Sequence, residues 1–267
     1  MVFDIFKSRR RARLRAQPAP AAWRAILENN LSVFNRLSAE DQAELLGHTQ
    51  VFLAEKHFEG AGGLELTDEI RVTIAAQACL LLLHRRTQYY PELVSIIVYP
   101  SGYTAVEERH IGGGIWSDAA EDRLGHTGQR LRALVLAWDA ARHGAAAPTD
   151  GENLVLHEFA HQLDFENRRS DGTPALERSG DYLAWARVMS AEFEALREAT
   201  DLGIPTLLDG YGATDPAEFF AVLTEVFFER PRALRQRHPA LFAQLQRFYR
   251  QDPTTYSAEP VTAQLRD

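Results

Sequence analysis

Residues 153–164 read NLVLHEFAHQLD, and this stretch decides how the rest of the chain is read. Leu154, Val155, Leu156, Phe159, Ala160 and Leu163 spread around a predicted helix from Asn153 to Asp164, which therefore lies buried or lines a cleft. Three polar residues stand against that background: His157, Glu158 and His161. Positions four apart on a helix sit one turn apart on one face, so the two imidazoles project together. At that separation they can converge on one zinc ion. Glu158, next to the first histidine, is placed to act as base towards a water that the metal activates. Burying two histidines and a carboxylate without partners is costly, and a bound metal removes that cost. The competing reading makes the histidines hydrogen-bonded core residues and Glu158 a surface group; the apolar setting disfavours it.

A catalytic zinc usually has three protein ligands and one open position. No third histidine follows in the H-E-x-x-H-x-x-G-x-x-H arrangement, because Asp164 stands where that glycine belongs. The candidates downstream are Glu177, Glu192, Glu194, Glu218, Glu225 and Glu229. The informative segment is 211–228, YGATDPAEFFAVLTEVFF. Asp215 is a natural N-cap, and Pro216 suits the first helical position. The apolar helix that follows carries Glu218 and Glu225 on one face, seven residues apart. Glu218 also fits a capping box with Asp215, and Glu225 fits equally as a residue that orients a histidine. Spacing alone does not separate these roles.

Working outward, the chain has 267 residues, 45% of them hydrophobic and 25% charged, which suits a globular fold of one large domain. A net charge of -8 speaks against a general nucleic-acid binder. Cys79 is the single cysteine, so neither an intrachain disulfide nor a thiolate zinc site can form. The N-terminus, MVFDIFKSRRRARLRAQ, is basic with no apolar stretch after it, unlike an export signal. The longest apolar run, near Ile74 to Leu83, is too short to span a bilayer. A cytoplasmic protein with no membrane insertion is expected. The cluster Arg9, Arg10, Arg11, Arg13 and Arg15 reads as a solvated arm, with contact to anionic lipid or nucleic acid as the alternative.

The first third otherwise reads as helical: from Trp23 to about Leu46, with an N-cap at Ser38, and from Thr67 or Asp68 to about His84. Leu93–Tyr99 (LVSIIVY) reads as a strand stopped by Pro100, and Leu131–Trp138 (LRALVLAW) as a second strand. Gly112–Gly114 mark a loop, and 144–151 another. Helices are predicted from Gly180 to about Ala199, from Pro216 to Phe228 and from Pro239 to Tyr249. The division predicted is a basic flexible arm over 1–20, a helical N-terminal region over 21–88, a catalytic domain over 89–252 and a loose tail over 253–267.

LVLHEFAHQLD together with YGATDPAEFFAVLTEVFF resembles the Mlc titration factor A (MtfA) family of bacterial zinc metallopeptidases. IRVTIAAQACLLLL and LVLAWDAARHG are similar to that family as well, so the resemblance covers roughly Trp23 to Tyr249. It implies an α+β fold: a zincin-like core, similar to that of anthrax lethal factor, with a small sheet and active-site helices. It also implies one zinc per chain held by His157, His161 and Glu218, Glu158 as the base, and Tyr211 as donor to the developing oxyanion. Asp164 would give further support. The activity implied is peptidase, aminopeptidase-like on small substrates, with a Mlc-like transcriptional repressor as a possible partner beside peptide or protein substrates. The alternative is a regulator-binding protein whose zinc site is not catalytic.

Overall fold

The computed structural model describes residues 2–102, 133–146 and 149–256. Ten α-helices and three strands are named here in chain order among those residues. Helix α1 covers Val2–Ala16, α2 Ala21–Asn30 and α3 Ala39–Glu55, followed by strand β1, His57–Gly60. Helix α4 covers Asp68–Leu80, and strands β2 and β3 cover Ser95–Tyr99 and Ala133–Ala137. After these come α5 (Trp138–Ala146), α6 (Leu154–Asp164), α7 (Asp181–Asp201), α8 (Pro216–Glu229), α9 (Pro231–Arg237) and α10 (Pro239–Tyr249). The class is α+β: helices around a small sheet, as the resemblance implies.

The sheet is parallel throughout, in the order β1-β2-β3, with His57 opposite Ser95 and Ser95 opposite Ala133. Parallel neighbours need a crossover, and α4 supplies the one between β1 and β2. Ile96, Val98, Leu134 and Leu136 are buried, while Ser95, Ile97, Tyr99, Ala133 and Val135 are only partly covered, which is the period-two signature of strands packed on one face. Helix α4 is buried nearly all round, from Ile70 to Leu80, and starts on a Thr67 cap that accepts from the Ile70 amide. Cys79 lies fully buried within it, and burial pushes its thiol far above the ordinary range.

Several expectations need correction. Residues 2–16 are not a loose arm but helix α1, packed on α3. The cause is Arg11, which is buried: Nε and Nη2 each donate to the Glu55 carboxylate at 2.8 Å, and Nη1 and Nη2 reach Gln88. Such a two-pronged pair suits arginine far better than solvation does when the carboxylate is itself half enclosed. The helical first third contains strand β1, whose four residues, HFEG, are too short for an apolar run: Phe58 packs partly against the core while His57 and Glu59 are exposed. The second strand ends at Ala137, and Trp138 already begins α5, so Gly144 is helical rather than part of a loop. The helix α9 after Pro231 was absent from the sequence reading. Residues 253–255 form a 3-10 turn with Pro253 buried, and the Tyr256 hydroxyl donates to Gln251 Oε1 at 2.7 Å, whereas the expected tail from 257 and the Gly112–Gly114 loop lie outside the described residues.

Candidate metal centre

The site is built on α6 and α8, which pack directly on each other. Asn153 starts α6: its Oδ1 accepts from the Leu156 amide at 3.0 Å, and its Nδ2 donates to the Gly144 carbonyl at 2.9 Å. A Cβ at Gly144 would stand 2.9 Å from Asn153 Cγ, so only glycine lets α5 approach this cap. Asp215 starts α8, and one oxygen accepts from both the Ala217 and Glu218 amides, at 2.8 and 3.0 Å. Cap and helix thus hold Glu218 by its backbone, while its side chain turns the other way, to the histidines. The capping-box reading of Glu218 is set aside by that orientation. Asp215→Ala is expected to cost roughly 1–2 kcal/mol of stability and to weaken metal binding through Glu218. Urea unfolding and a zinc titration check the two effects.

Three polar atoms converge. His157 Nε2 lies 3.0 Å from Glu218 Oε2 and 3.2 Å from His161 Nε2, and His161 Nε2 lies 3.4 Å from Glu218 Oε2. A tetrahedron with bonds of about 2.0–2.1 Å has edges of about 3.3–3.4 Å, so the triangle has the size of a zinc face. On the far side of the same imidazole, His157 Nδ1 lies 2.7 Å from Glu225 Oε1, and the other Glu225 oxygen accepts from the Asn153 amide. With the Nδ1 proton given to Glu225, Nε2 carries a lone pair aimed at a carboxylate and a second imidazole. That crowd of acceptors calls for a positive charge at its centre.

The electrostatics agree. Burial pulls the His157 imidazole down, but hydrogen bonds to Glu218 and Glu225 outweigh it and lift the group to about 10. Burial raises Glu218, yet the two histidines overcome it and hold the carboxyl well below its usual range. A divalent cation satisfies the same demand as the proton that these groups otherwise share.

Glu158 is buried, and its charge is close enough to raise both His157 and Tyr211. Tyr211 sits in a 3-10 turn, Gly210–Ala213, where its amide donates to Asp209 Oδ1 at 2.7 Å. Its ring lies 6.2 Å from the His157 ring, and its hydroxyl faces the Glu218 carboxylate. Burial and the neighbouring carboxylates push the phenol up, so it stays a donor. The turn role and the proximity to the site are both present.

The other predicted candidates go elsewhere. Glu177 pairs with Arg250, Glu192 with His238 and Glu194 with Arg197. Asp164 is buried outside the triangle; its Oδ2 accepts from the Gly172 amide at 2.9 Å, and burial raises it to about 6. Gly172 has φ +71°, and a Cβ there would meet the Pro216 carbonyl at 2.2 Å. Asp164 therefore ties the end of α6 to the start of α8, an indirect support for the Glu218 position. A second group, Asp41, Glu44 and His84, differs in kind: Asp41 faces His84 Nε2 and Glu44 faces Nδ1, each at 3.1 Å. Carboxylates on opposite ring nitrogens grip the imidazole from two sides rather than face one ion.

Glu229 belongs to neither set. Its Oε2 accepts from the Gly151 amide at 2.9 Å, and the Asp150 carboxyl, itself bonded to His143, faces it. Burial first, then Asp150, lifts Glu229 to about 9, while hydrogen bonds from the Glu152 amide, Glu229 and His143 outweigh burial and lower Asp150. The folded state thus keeps a proton on Glu229 that the unfolded chain releases near about pH 4.3. Between the two values the folded state binds more protons, so stability falls as pH rises through that window. Unfolding curves at about pH 5 and about pH 9 should differ by a few kcal/mol in the wild type, and Glu229→Gln should flatten the difference.

Comparison with known proteins places the chain beside metallopeptidases. A family model described as "Glucose-regulated metallo-peptidase M90" matches residues 6–250. An uncharacterised protein of Synechocystis is 37% identical over 244 residues, covering 91% of this chain and 89% of that protein. Proteins named Mlc titration factor A from Salmonella typhi and Salmonella arizonae are each 31% identical over 227 residues. They cover 82% of this chain, and 82% and 86% of their own lengths.

Proposed function

This chain belongs to the glucose-regulated M90 metallopeptidase family, and from that premise we propose a zinc-dependent peptidase of aminopeptidase type, with His157, His161 and Glu218 as ligands. Family membership makes it a hydrolase of peptide bonds. The observation that carries the ligand assignment is the convergence of His157 Nε2, His161 Nε2 and Glu218 Oε2 within 3.0–3.4 Å.

A divalent ion held by that set supplies Lewis acidity, polarising the scissile carbonyl and acidifying water. Glu158 accepts the proton of the attacking water and delivers it to the leaving amine. Its place one residue after His157, on the same buried helix, supports this role. Tyr211 remains protonated beside the ligand set and donates a hydrogen bond to the oxyanion. Glu225 fixes the tautomer of His157 by accepting its Nδ1 proton.

The second reading is a titration role. Relatives named Mlc titration factor A point to binding of a Mlc-like repressor, with or without cleavage. The intact Glu158 and a set of three rather than four protein donors favour catalysis, because structural zinc sites close with four.

The test is zinc analysis of the purified protein together with hydrolysis of fluorogenic aminoacyl substrates and quenched internal peptides. One zinc per chain is expected, with aminoacyl hydrolysis that a chelator removes and added zinc restores. Stoichiometric zinc with no hydrolysis of either substrate type favours the titration reading. A protein that retains no divalent metal overturns the ligand set.

A further inference from the structure

We propose that helix α1 is a docking face for an anionic lipid surface. Its inner side is fastened: Arg11 is held by Glu55 and Gln88, and Gln50 Nε2 donates to the Gln17 carbonyl just beyond the helix. At Gly47 of α3 a Cβ would stand 3.3 Å from the Arg15 carbonyl, so the end of α1 lies close against the body. The orientation of the helix is thereby set, and what it turns outward is a fixed surface rather than a flexible chain.

That outward side carries Phe6, 65% exposed, with Arg9 and Arg13, both exposed, and Arg10, exposed but with Nη2 reaching back to the Ala54 carbonyl at 3.4 Å. Successive positions 6, 9, 10 and 13 follow the helical repeat, so the aromatic ring and the guanidinium groups share one face. With Arg11 and Lys7 turned to Glu55, the helix still carries Arg9, Arg10, Arg13 and Arg15, all exposed, against one acid of its own, Asp4, in a chain whose net charge is -8. A cationic strip on an otherwise acidic protein selects an anionic partner by charge.

The exposed ring decides among anionic partners. Duplex nucleic acid presents its phosphates outward and keeps its bases stacked inside, so an exposed phenylalanine finds no apolar phase to enter there. A bilayer surface uses both parts: phosphate headgroups accept from the guanidinium groups while an aromatic side chain enters the headgroup–acyl boundary. The contact is peripheral and salt-sensitive. Among the described residues no helix is long and apolar enough to cross a membrane.

The experiment is sedimentation of the full chain with vesicles of phosphatidylcholine alone or mixed with phosphatidylglycerol, at about 0.1 M and about 1 M salt. Binding is expected only to the phosphatidylglycerol vesicles and only at the lower salt. The double variant Arg9→Glu, Arg13→Glu should lower the partition coefficient on the order of a hundredfold, and Phe6→Ser about tenfold. Thermal melting should be unchanged in both, since these side chains are exposed. The proposal is overturned if the wild type does not sediment with phosphatidylglycerol vesicles at low salt. It is equally overturned if the variants bind as well as the wild type, or if duplex DNA displaces the vesicles.

Discussion

Replacing Glu158 by glutamine is expected to lower turnover of a peptide substrate by about 10²–10⁴-fold, the range of a lost general base. Glutamine keeps the size and shape of the side chain and can still accept a hydrogen bond from water, but it cannot take a proton. The fold should tolerate the change. Glu158 is buried, so removing its charge relieves desolvation rather than adding strain. The converging atoms are His157 Nε2, His161 Nε2 and Glu218 Oε2, and none belongs to Glu158, so zinc content should match the wild type. The Michaelis constant should move little, because the lost interaction acts in the transition state. Activity within tenfold of wild type would remove Glu158 from the mechanism. A loss of activity that tracks a loss of zinc would make it a support of the site instead. Binding of a Mlc-like repressor, if it occurs, should survive the substitution, which separates titration from catalysis.

Much of this site was legible in the sequence because helical spacing is local. His157 and His161 share a face whatever the rest of the chain does, and Asp215-Pro216 announces the start of α8 by its own capping chemistry. Which carboxylate joins the two histidines was not legible from spacing. Glu218 and Glu225 occupy the same face two turns apart, and the structure separates them by placing His157 between: Glu218 meets Nε2 and Glu225 meets Nδ1. One imidazole reads both carboxylates, a relation that needs α6 and α8 to be packed before it exists. The same limit hid α1. A run of arginines reads as solvated until Glu55 and Gln88, 44 and 77 residues away, are brought to Arg11. Strand β1 was hidden for another reason: of its four residues, HFEG, only Phe58 is an apolar side chain packed on the core, and pairing to β2 defines the rest.

Glu225→Gln tests whether that second carboxylate governs the metal without touching it. Both partners of Glu225 are donors, the His157 Nδ1–H and the Asn153 amide. A carboxylate satisfies the two at once; an amide offers one oxygen and must turn its NH₂ towards the other donor. If the oxygen stays on the Asn153 amide, His157 loses the acceptor that fixes its tautomer, and the proton is free to move to Nε2, where it competes with the metal. If the oxygen turns to His157, the amide at the start of α6 is left buried and unpaired, at a cost of about 1–3 kcal/mol. Either outcome acts on zinc through His157 or through the helix that carries it, so affinity should fall by about 10–100-fold. Turnover measured at saturating zinc should recover most of the wild-type rate, because Glu158 and Tyr211 are unchanged. Glu218→Gln should behave differently: it weakens a donor in the triangle itself, and excess zinc should not restore the rate. Equal zinc affinity in wild type and Glu225→Gln would reduce the His157–Glu225 contact to packing, and the tautomer of His157 would then have to be set without it.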